Sequence, residues 1–382
     1  MKPLTHNGMH TIRPTGPSAR AVPLGIAFLL GFALLLAASL LVAPPIALSA
    51  ERYTVPGSQV AIYNLAGEMK VEPYAGSDVV VEVTRGGRDA PELRIESGLR
   101  GARQTLRVIY PGKRVVYPKL GLGSRTNLRV RADGTFGDGL KDLLGLGTGV
   151  TISGRGNGLE AHADLRVLVP ASKDVAVYVG AGSMSAADVE ADLKLNASMG
   201  AIECSGTRGT LRVNTGSGSV RVRSARGDLA IDTGSGDVAT ENVEAGRLHI
   251  DTGSGSVAIN RARAQALDVD TGSGDIVAED LDAGDIHVDT GSGRVSLALV
   301  RSAKRVNIET GSGAVLVRVP RDYEAEFELD TGSGGIDLDM PHTVTRQDHG
   351  HLRGRIGDGG GSLRVDTGSG GIQVMRGGSA SG

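Results

Sequence analysis

Tryptophan is absent from this 382-residue chain, aromatic residues make up 3% of it, and Cys204 is its single cysteine. Aromatic rings commonly line small-molecule pockets and form the stacking platforms of carbohydrate sites, so we expect neither kind of site. A single cysteine excludes an intramolecular disulfide framework and any Cys-x-x-Cys metal or redox motif. The net charge of −2 provides no basic footprint, so nucleic acid is not an expected partner.

Glycine and aliphatic residues are abundant instead. Glycine accounts for 58 residues, about twice its average usage. Hydrophobic residues make up 40% of the chain, which argues against global disorder. The core must therefore consist of Val, Ile, Leu and Ala rather than of large rings. The length predicts about two or three domains.

Residues 1–50 have the composition of a targeting segment. Three basic residues and no acidic residue precede an uncharged apolar run over residues 21–43, which Pro44 and Pro45 end. The run is long enough for a membrane-spanning helix, whereas the prolines and the small residues after them resemble the cleavage region of a signal peptide. Both interpretations stay open. In either case the basic residues remain in the cytoplasm, so we expect residues 51–382 to be extracytoplasmic: membrane-anchored, periplasmic or on the cell surface.

An internal repeat is the strongest signal in the sequence. The tetrapeptide Thr-Gly-Ser-Gly recurs at successive spacings of 18, 19, 19, 19, 20, 21 and 36 residues. Because 36 is close to two periods, we expect a degenerate or expanded turn over residues 340–361, where partner contacts are also expected. The repeats begin at Thr215, Thr233, Thr252, Thr271, Thr290, Thr310, Thr331 and Thr367.

Apolar residues alternate with polar ones on both sides of each glycine turn, as in Leu229, Ile231 and Thr233 before the bend and Val238 after it. This alternation is typical of strands with one buried face. Two short strands per period cannot bury that face alone, but stacked repeats can. We therefore predict an all-β fold, a parallel β-solenoid with rungs of about 18–21 residues, in which the repeat threonines point inward. An antiparallel meander or sandwich is the less favoured alternative, because it does not require the same turn eight times.

The chain divides into four predicted regions. Residues 1–50 are a signal peptide or signal anchor whose apolar helix spans residues 21–43. They precede an irregular β region over residues 51–164, which opens or caps the solenoid. Its glycine-rich stretches at residues 112–125 and 132–158 are predicted loops. The regular solenoid covers residues 165–376, and a disordered tail covers residues 377–382.

The serial Thr-Gly-Ser-Gly-(Asp/Ser)-Val turns, as in residues 232–238, resemble those of the bacterial DUF4097 family. Residues 354–370 resemble the last turn of that family, whose β-strand-repeat proteins are catalogued as adhesins. The resemblance covers most of residues 51–382 and is most convincing over residues 165–376. It implies an extracytoplasmic β-solenoid without established catalytic residues.

An acidic residue precedes most of the repeat threonines and points outward, so stacking places these acids in a column. Carboxylates stacked about 4.8 Å apart repel each other, and a bound cation would relieve this repulsion. Carboxylate oxygens are ligands that suit Ca²⁺. The alternative is a solvated stripe partly compensated by nearby arginines, and we favour it, so no cofactor is expected. The candidate Ca²⁺ ligands are Asp232, Asp237, Asp251, Asp270, Asp275 and Asp289.

We predict that the chain is not an enzyme. The alternative is a polysaccharide hydrolase or lyase that uses an outward pair such as Asp232 and Asp237. Uniformly recurring carboxylates and the lack of tryptophan argue against it. His342, His349 and His351 form the one histidine cluster, which we interpret as a polar surface loop rather than a metal site.

The predicted function is surface adhesion, interaction or envelope scaffolding. The expected partner is an unidentified protein or glycan of the envelope or surface, with membrane contact through residues 21–43 if that segment is not cleaved. Unpaired strands at the ends of the stack also favour self-association.

Overall fold

The computed structural model describes residues 50–137 and 147–377, and these residues form an all-β structure. Twenty-six strands belong to one large, mostly parallel sheet that wraps nearly closed, and four form a second, small sheet. Two 3₁₀ turns cover Ala90–Glu92 and Pro118–Leu120. No helix among the described residues is long and apolar enough to span a membrane. The predicted span at residues 21–43 lies outside the described residues.

The first eleven strands include the start of the large sheet and all of the small one. They are β1 (Glu51–Val55), β2 (Gln59–Ala66), β3 (Met69–Tyr74), β4 (Val79–Gly86), β5 (Arg94–Arg100), β6 (Arg103–Ile109), β7 (Arg114–Val116), β8 (Arg125–Val130), β9 (Thr148–Ser153), β10 (Leu159–Glu160) and β11 (His162–Pro170).

The next thirteen strands form the regular middle of the stack. They are β12 (Asp174–Ala181), β13 (Met184–Ala187), β14 (Asp192–Met199), β15 (Ile202–Ser205), β16 (Leu211–Thr215), β17 (Val220–Arg223), β18 (Leu229–Thr233), β19 (Val238–Thr252), β20 (Val257–Thr271), β21 (Ile276–Thr290), β22 (Val295–Leu299), β23 (Arg305–Thr310) and β24 (Val315–Val319).

The last six strands form the carboxyl-terminal end. They are β25 (Ala325–Thr331), β26 (Ile336–Asp339), β27 (Thr343–Asp348), β28 (His351–Ile356), β29 (Ser362–Thr367) and β30 (Ile372–Arg376).

Each coil of the middle consists of a strand that ends at a repeat threonine, a glycine turn and a strand after the turn. We call the sheet face before the turn side one and the face after it side two. On side one, Leu211 pairs with Leu229, which pairs with Leu248 in the next coil, all in parallel register. These leucines are at most 2% exposed and belong to one continuous core. The prediction of an all-β, mostly parallel fold is confirmed.

The glycine turn has no room for side chains at its two glycines. A Cβ atom at Gly255, whose φ is +148°, would lie 2.3 Å from the carbonyl oxygen of Gly236 in the preceding coil. A Cβ atom at Gly253 would lie 2.6 Å from the carbonyl oxygen of Gly234. The Gly255 N–H donates to the carbonyl of Ser273 in the following coil at 3.0 Å. Glycine is therefore required both by conformation and by the close stacking of the turn backbones.

The carboxyl-terminal end departs from the predicted chain order. Strand β29 pairs in parallel with β23 on one edge and with β25 on the other, and β30 lies between β24 and β26. The turn at Thr367 thus stacks between those at Thr310 and Thr331. Residues 340–361 do not form the expected degenerate turn. They contain the antiparallel hairpin β27–β28, whose second strand pairs with β25.

The amino-terminal end also differs from the chain order. The coil β2–β3 lies between β12–β13 on one side and β6 with β11 on the other. Antiparallel strands then complete this end, since β5 pairs with β6, β4 with β11, and β1 with β4. These pairings place strands of opposite direction at the outer edges.

The glycine-rich stretches predicted as loops contain strands of the small sheet. Strand β7 lies within residues 112–125 and β9 within residues 132–158, and the two pair in parallel. Val115 and Ile152 are completely buried there. The loop prediction was wrong at these strands because two or three apolar residues among glycines suffice when a neighbouring sheet covers them.

Candidate functional site

The acids before the repeat threonines form an outward column on side one. In spatial order, each pairs in register with the next across the parallel ladder. The acidic column consists of Asp232, Asp251, Asp270, Asp289, Glu309, Asp366 and Asp330. Its members come from seven coils, and the strand stacking alone brings them together.

Two members of the acidic column, Asp251 and Asp289, have a raised pKa. Partial burial raises the pKa of Asp251, and the neighbouring carboxylates of Asp232 and Asp270 raise it further. The pKa of Asp289 is raised in the same way, by burial and then by Asp270 and Glu309. Burial and the neighbouring carboxylates therefore make the charged form less favourable at these two positions than in an isolated aspartate.

Two of the candidate Ca²⁺ ligands lie outside the column, at the turn. The Oδ1 atom of Asp237 accepts the Ser256 N–H at 2.9 Å, and that of Asp275 accepts the Arg294 N–H at 2.8 Å. Each carboxylate thus caps the turn of the following coil. The structure does not bring Asp237 and Asp275 into a chelating group with the column, and Ca²⁺ binding stays the less favoured alternative to a solvated acidic stripe.

The repeat threonines are buried below the turns. Most donate their Oγ1 hydrogen to a turn-glycine carbonyl of the adjacent coil, as Thr271 does to Gly255 at 3.3 Å. Thr233 Oγ1 is buried without such a partner. Their geometry joins coils rather than forming a reactive site. All eight are at most 6% exposed: Thr215, Thr233, Thr252, Thr271, Thr290, Thr310, Thr331 and Thr367.

A groove of about 660 Å³ crosses several coils on side one, beside the acidic column. The small residues Ala266 and Ser362 belong to its lining, together with the charged residues Arg247, Arg305 and Asp285. Arg305 lies 3.8 Å from Asp285, a loose ion pair whose guanidinium retains hydrogen-bonding capacity. The groove was not predicted from the sequence. A usable signal was present, because Ala266 and Ser362 occupy the position that Arg247, Asp285 and Arg305 fill in other coils.

Histidines line the same side of the stack. His249 Nδ1 lies 3.0 Å from an Asp268 oxygen, and Asn307 donates to His287 Nδ1 at 3.2 Å. His287 and Asp268 also line the groove. Beside the acidic column, the outer wall of side one is thus a mixed array of carboxylates, imidazoles and guanidinium groups.

The predicted histidine cluster is divided in the structure. His342 Nδ1 contacts the Met340 carbonyl at 2.8 Å, and His349 is exposed in the hairpin turn. His351 instead forms a short hydrogen bond with Asp330, the last member of the acidic column. Interpreting the three histidines as one surface loop therefore missed this contact.

Cys204 is buried in the core of side two. Burial raises the pKa of its thiol to about 12, so the reactive thiolate is not formed near neutral pH. It acts as a small apolar residue in this position.

Residues 206–375 match the model of the Toastrack DUF4097 family, which confirms the resemblance drawn from the turns. No curated protein matches the sequence. One solved structure with similarity is a "putative cell adhesion protein" from Clostridium sporogenes ATCC 15579. The match covers 86% of this chain and 100% of that one, at 9% identity and a TM-score of 0.19, which is too low to carry an argument.

Proposed function

We propose that this chain is a non-catalytic, extracytoplasmic β-solenoid protein of the bacterial envelope, acting in adhesion, interaction or scaffolding. One observation carries the proposal: the groove on side one extends across several coils and is lined by side chains of both charges. Such a surface suits many modest polar contacts with an extended partner. The DUF4097 match over residues 206–375 supports the same function.

The groove favours a polar polymer of the envelope or an extended protein segment as partner. Arg247 and Arg305 supply donors suited to carboxylates, and Asp268 and Asp285 supply acceptors for hydroxyl or amide groups. Because each coil repeats at about 4.8 Å, an extended partner meets a new set of groups at each step.

The location forms part of the proposal. We infer that residues 21–43 direct the following chain across the membrane and then either anchor it or are removed. A tag at the carboxyl terminus, protease treatment of intact cells and a blot test this inference. Loss of the tag from intact cells indicates the cell surface, and loss only after opening the envelope indicates the periplasm. Loss of the tag from neither preparation, with the protein in the cytosolic fraction, would contradict an extracytoplasmic location.

Binding is tested by sedimenting the purified full-length chain with isolated cell envelopes. The variant Arg247→Glu/Arg305→Glu replaces two of the three arginines that line the groove by acids, and we expect it to lose most envelope binding. The matched control is Arg221→Glu/Arg223→Glu, which reverses two outward arginines on side two. Equal binding by both variants and the wild type would show that the groove is not the contact surface.

A further inference from the structure

A second cluster of polar side chains lies at the carboxyl-terminal end of side one. Glu328 and Asp330 are two residues apart on β25, so their side chains share the outward face. His351 on β28 is directly opposite Asp330 in antiparallel register. One potential ligand atom from each of the three residues lies within 4.8 Å of the other two.

The surroundings of this triad differ from those of an ordinary surface ion pair. The side chains of Glu328, Asp330 and His351 are only 33%, 32% and 20% exposed. Two carboxylates converge here, and Arg364 Nη1 donates to Glu328 Oε2 at 2.9 Å, while Oε1 does not take part in this bond. Asp330 also adjoins Asp366 in the acidic column, which places a third carboxylate beside the triad.

The ligand types discriminate between cations. Imidazole nitrogen together with carboxylate oxygen suits Zn²⁺ and neighbouring transition metals, whereas Ca²⁺ takes six to eight oxygen ligands. Three protein ligands also leave a fourth tetrahedral position for water or a partner group. Among the described residues, this triad is the one group whose ligand atoms converge in this way.

We propose that Glu328, Asp330 and His351 form a binding site for a divalent transition-metal ion, with Zn²⁺ as the best match. The ion replaces the hydrogen bond between Asp330 and His351 and links β25 to the hairpin β27–β28. The site thereby ties the hairpin to the end of the stack. It is independent of the groove and of the proposed adhesion function.

Isothermal titration of the full-length chain with Zn²⁺, and separately with Ca²⁺, tests the proposal. We expect a Zn²⁺ event that His351→Ala weakens about 100-fold or more, because a lost ligand costs at least as much as a lost outer-shell contact. Hydrogen exchange supplies a second readout, since Zn²⁺ should slow exchange in residues 343–356 of the wild type.

Two matched variants make the result specific. His349→Ala removes an exposed histidine of the same hairpin, and Asp366→Asn removes the next carboxylate of the acidic column. Both should retain the Zn²⁺ event. Absence of Zn²⁺ binding, or binding that His351→Ala leaves intact while His249→Ala or His349→Ala removes it, would overturn the proposal. Circular dichroism of each variant establishes that it is folded.

Discussion

The middle of the stack and its two ends differ in how their strands pair. In the middle, every coil meets a copy of its own cross-section, and parallel pairing continues from β14 to β24 with buried aliphatic residues in register. At the ends, antiparallel strands and a hairpin replace the repeat, and all residues of β27 are exposed. The comparison teaches that repetition determines the cross-section, whereas only departures from repetition can stop the stack.

The largest expected effect comes from the turn of a middle coil. Gly255→Ala places a Cβ atom 2.3 Å from the Gly236 carbonyl oxygen and forces a side chain into a positive φ. We expect a loss of about 3 kcal/mol or more in the free energy of unfolding. Chemical denaturation monitored by circular dichroism measures it.

Gly335 provides the matched control at the carboxyl-terminal end. It follows the turn at Thr331 and has open space around its Cβ position, so Gly335→Ala should change stability by less than about 0.5 kcal/mol. If Gly255→Ala were as well tolerated as Gly335→Ala, close stacking of the turn backbones would not be the reason for the repeated glycines.

A core substitution tests the same comparison with an effect of similar size. Ile250 is fully buried in the middle, and Ile250→Ala should cost about 2–5 kcal/mol by removing apolar contacts and leaving a cavity. Val344 in the end hairpin is 42% exposed, and Val344→Ala should be close to neutral. Thermal unfolding of both variants checks this, and equal losses would show that the hairpin packs as tightly as the middle.

The smallest expected effects come from removing one negative charge. The removal should stabilise the protein in the acidic column of the middle and destabilise it at the amino-terminal end. Asp251→Asn removes a charge that partial burial and the neighbouring carboxylates disfavour. It should stabilise the protein at pH 7 by about 0.5 kcal/mol or less, since solvent screens this exposed group. At the amino-terminal end, Asp174 accepts two bonds from Arg103, at 3.0 and 2.7 Å. Asp174→Asn should therefore destabilise the protein by about 1 kcal/mol.

The pH dependence provides an independent check on Asp251. Its folded-state pKa is raised, so the folded protein binds the proton more tightly than the unfolded chain, and the cost of the charge appears as pH rises through that pKa. The stabilisation by Asp251→Asn relative to wild type should therefore vanish below about pH 4. A difference that persists or grows in acid would exclude column repulsion as its cause.

The sequence was sufficient for the middle of the stack but not for its ends. Identical turns with alternating apolar residues predict parallel strands, and Leu229 and Leu248 pair as that pattern requires. The turn spacing does not determine which coils are neighbours, because every coil has the same cross-section. The Thr367 turn fits against Thr310 as well as against Thr331, so its insertion between them was not predictable.

The candidate sites, too, were predictable from the sequence only where they follow the repeat. The acidic column follows directly from the repeat, because each acid occupies the same place in its coil. The contact between Asp330 and His351 depends on an antiparallel hairpin outside the repeat, and the groove depends on which side chains are small. Neither has a periodic signature.

The inserted position of β29 and β30 has a consequence for biosynthesis. A chain delivered from its amino terminus completes the coil of β25 and β26 before the strands that lie between this coil and the one before it exist. That coil must either wait undocked or dock directly on β23 and β24 and later be displaced. The fold is therefore complete only after β29 and β30 have been synthesised and inserted. A product truncated shortly after residue 340 would contain all the earlier coils, but the coils at its end would have the wrong neighbours.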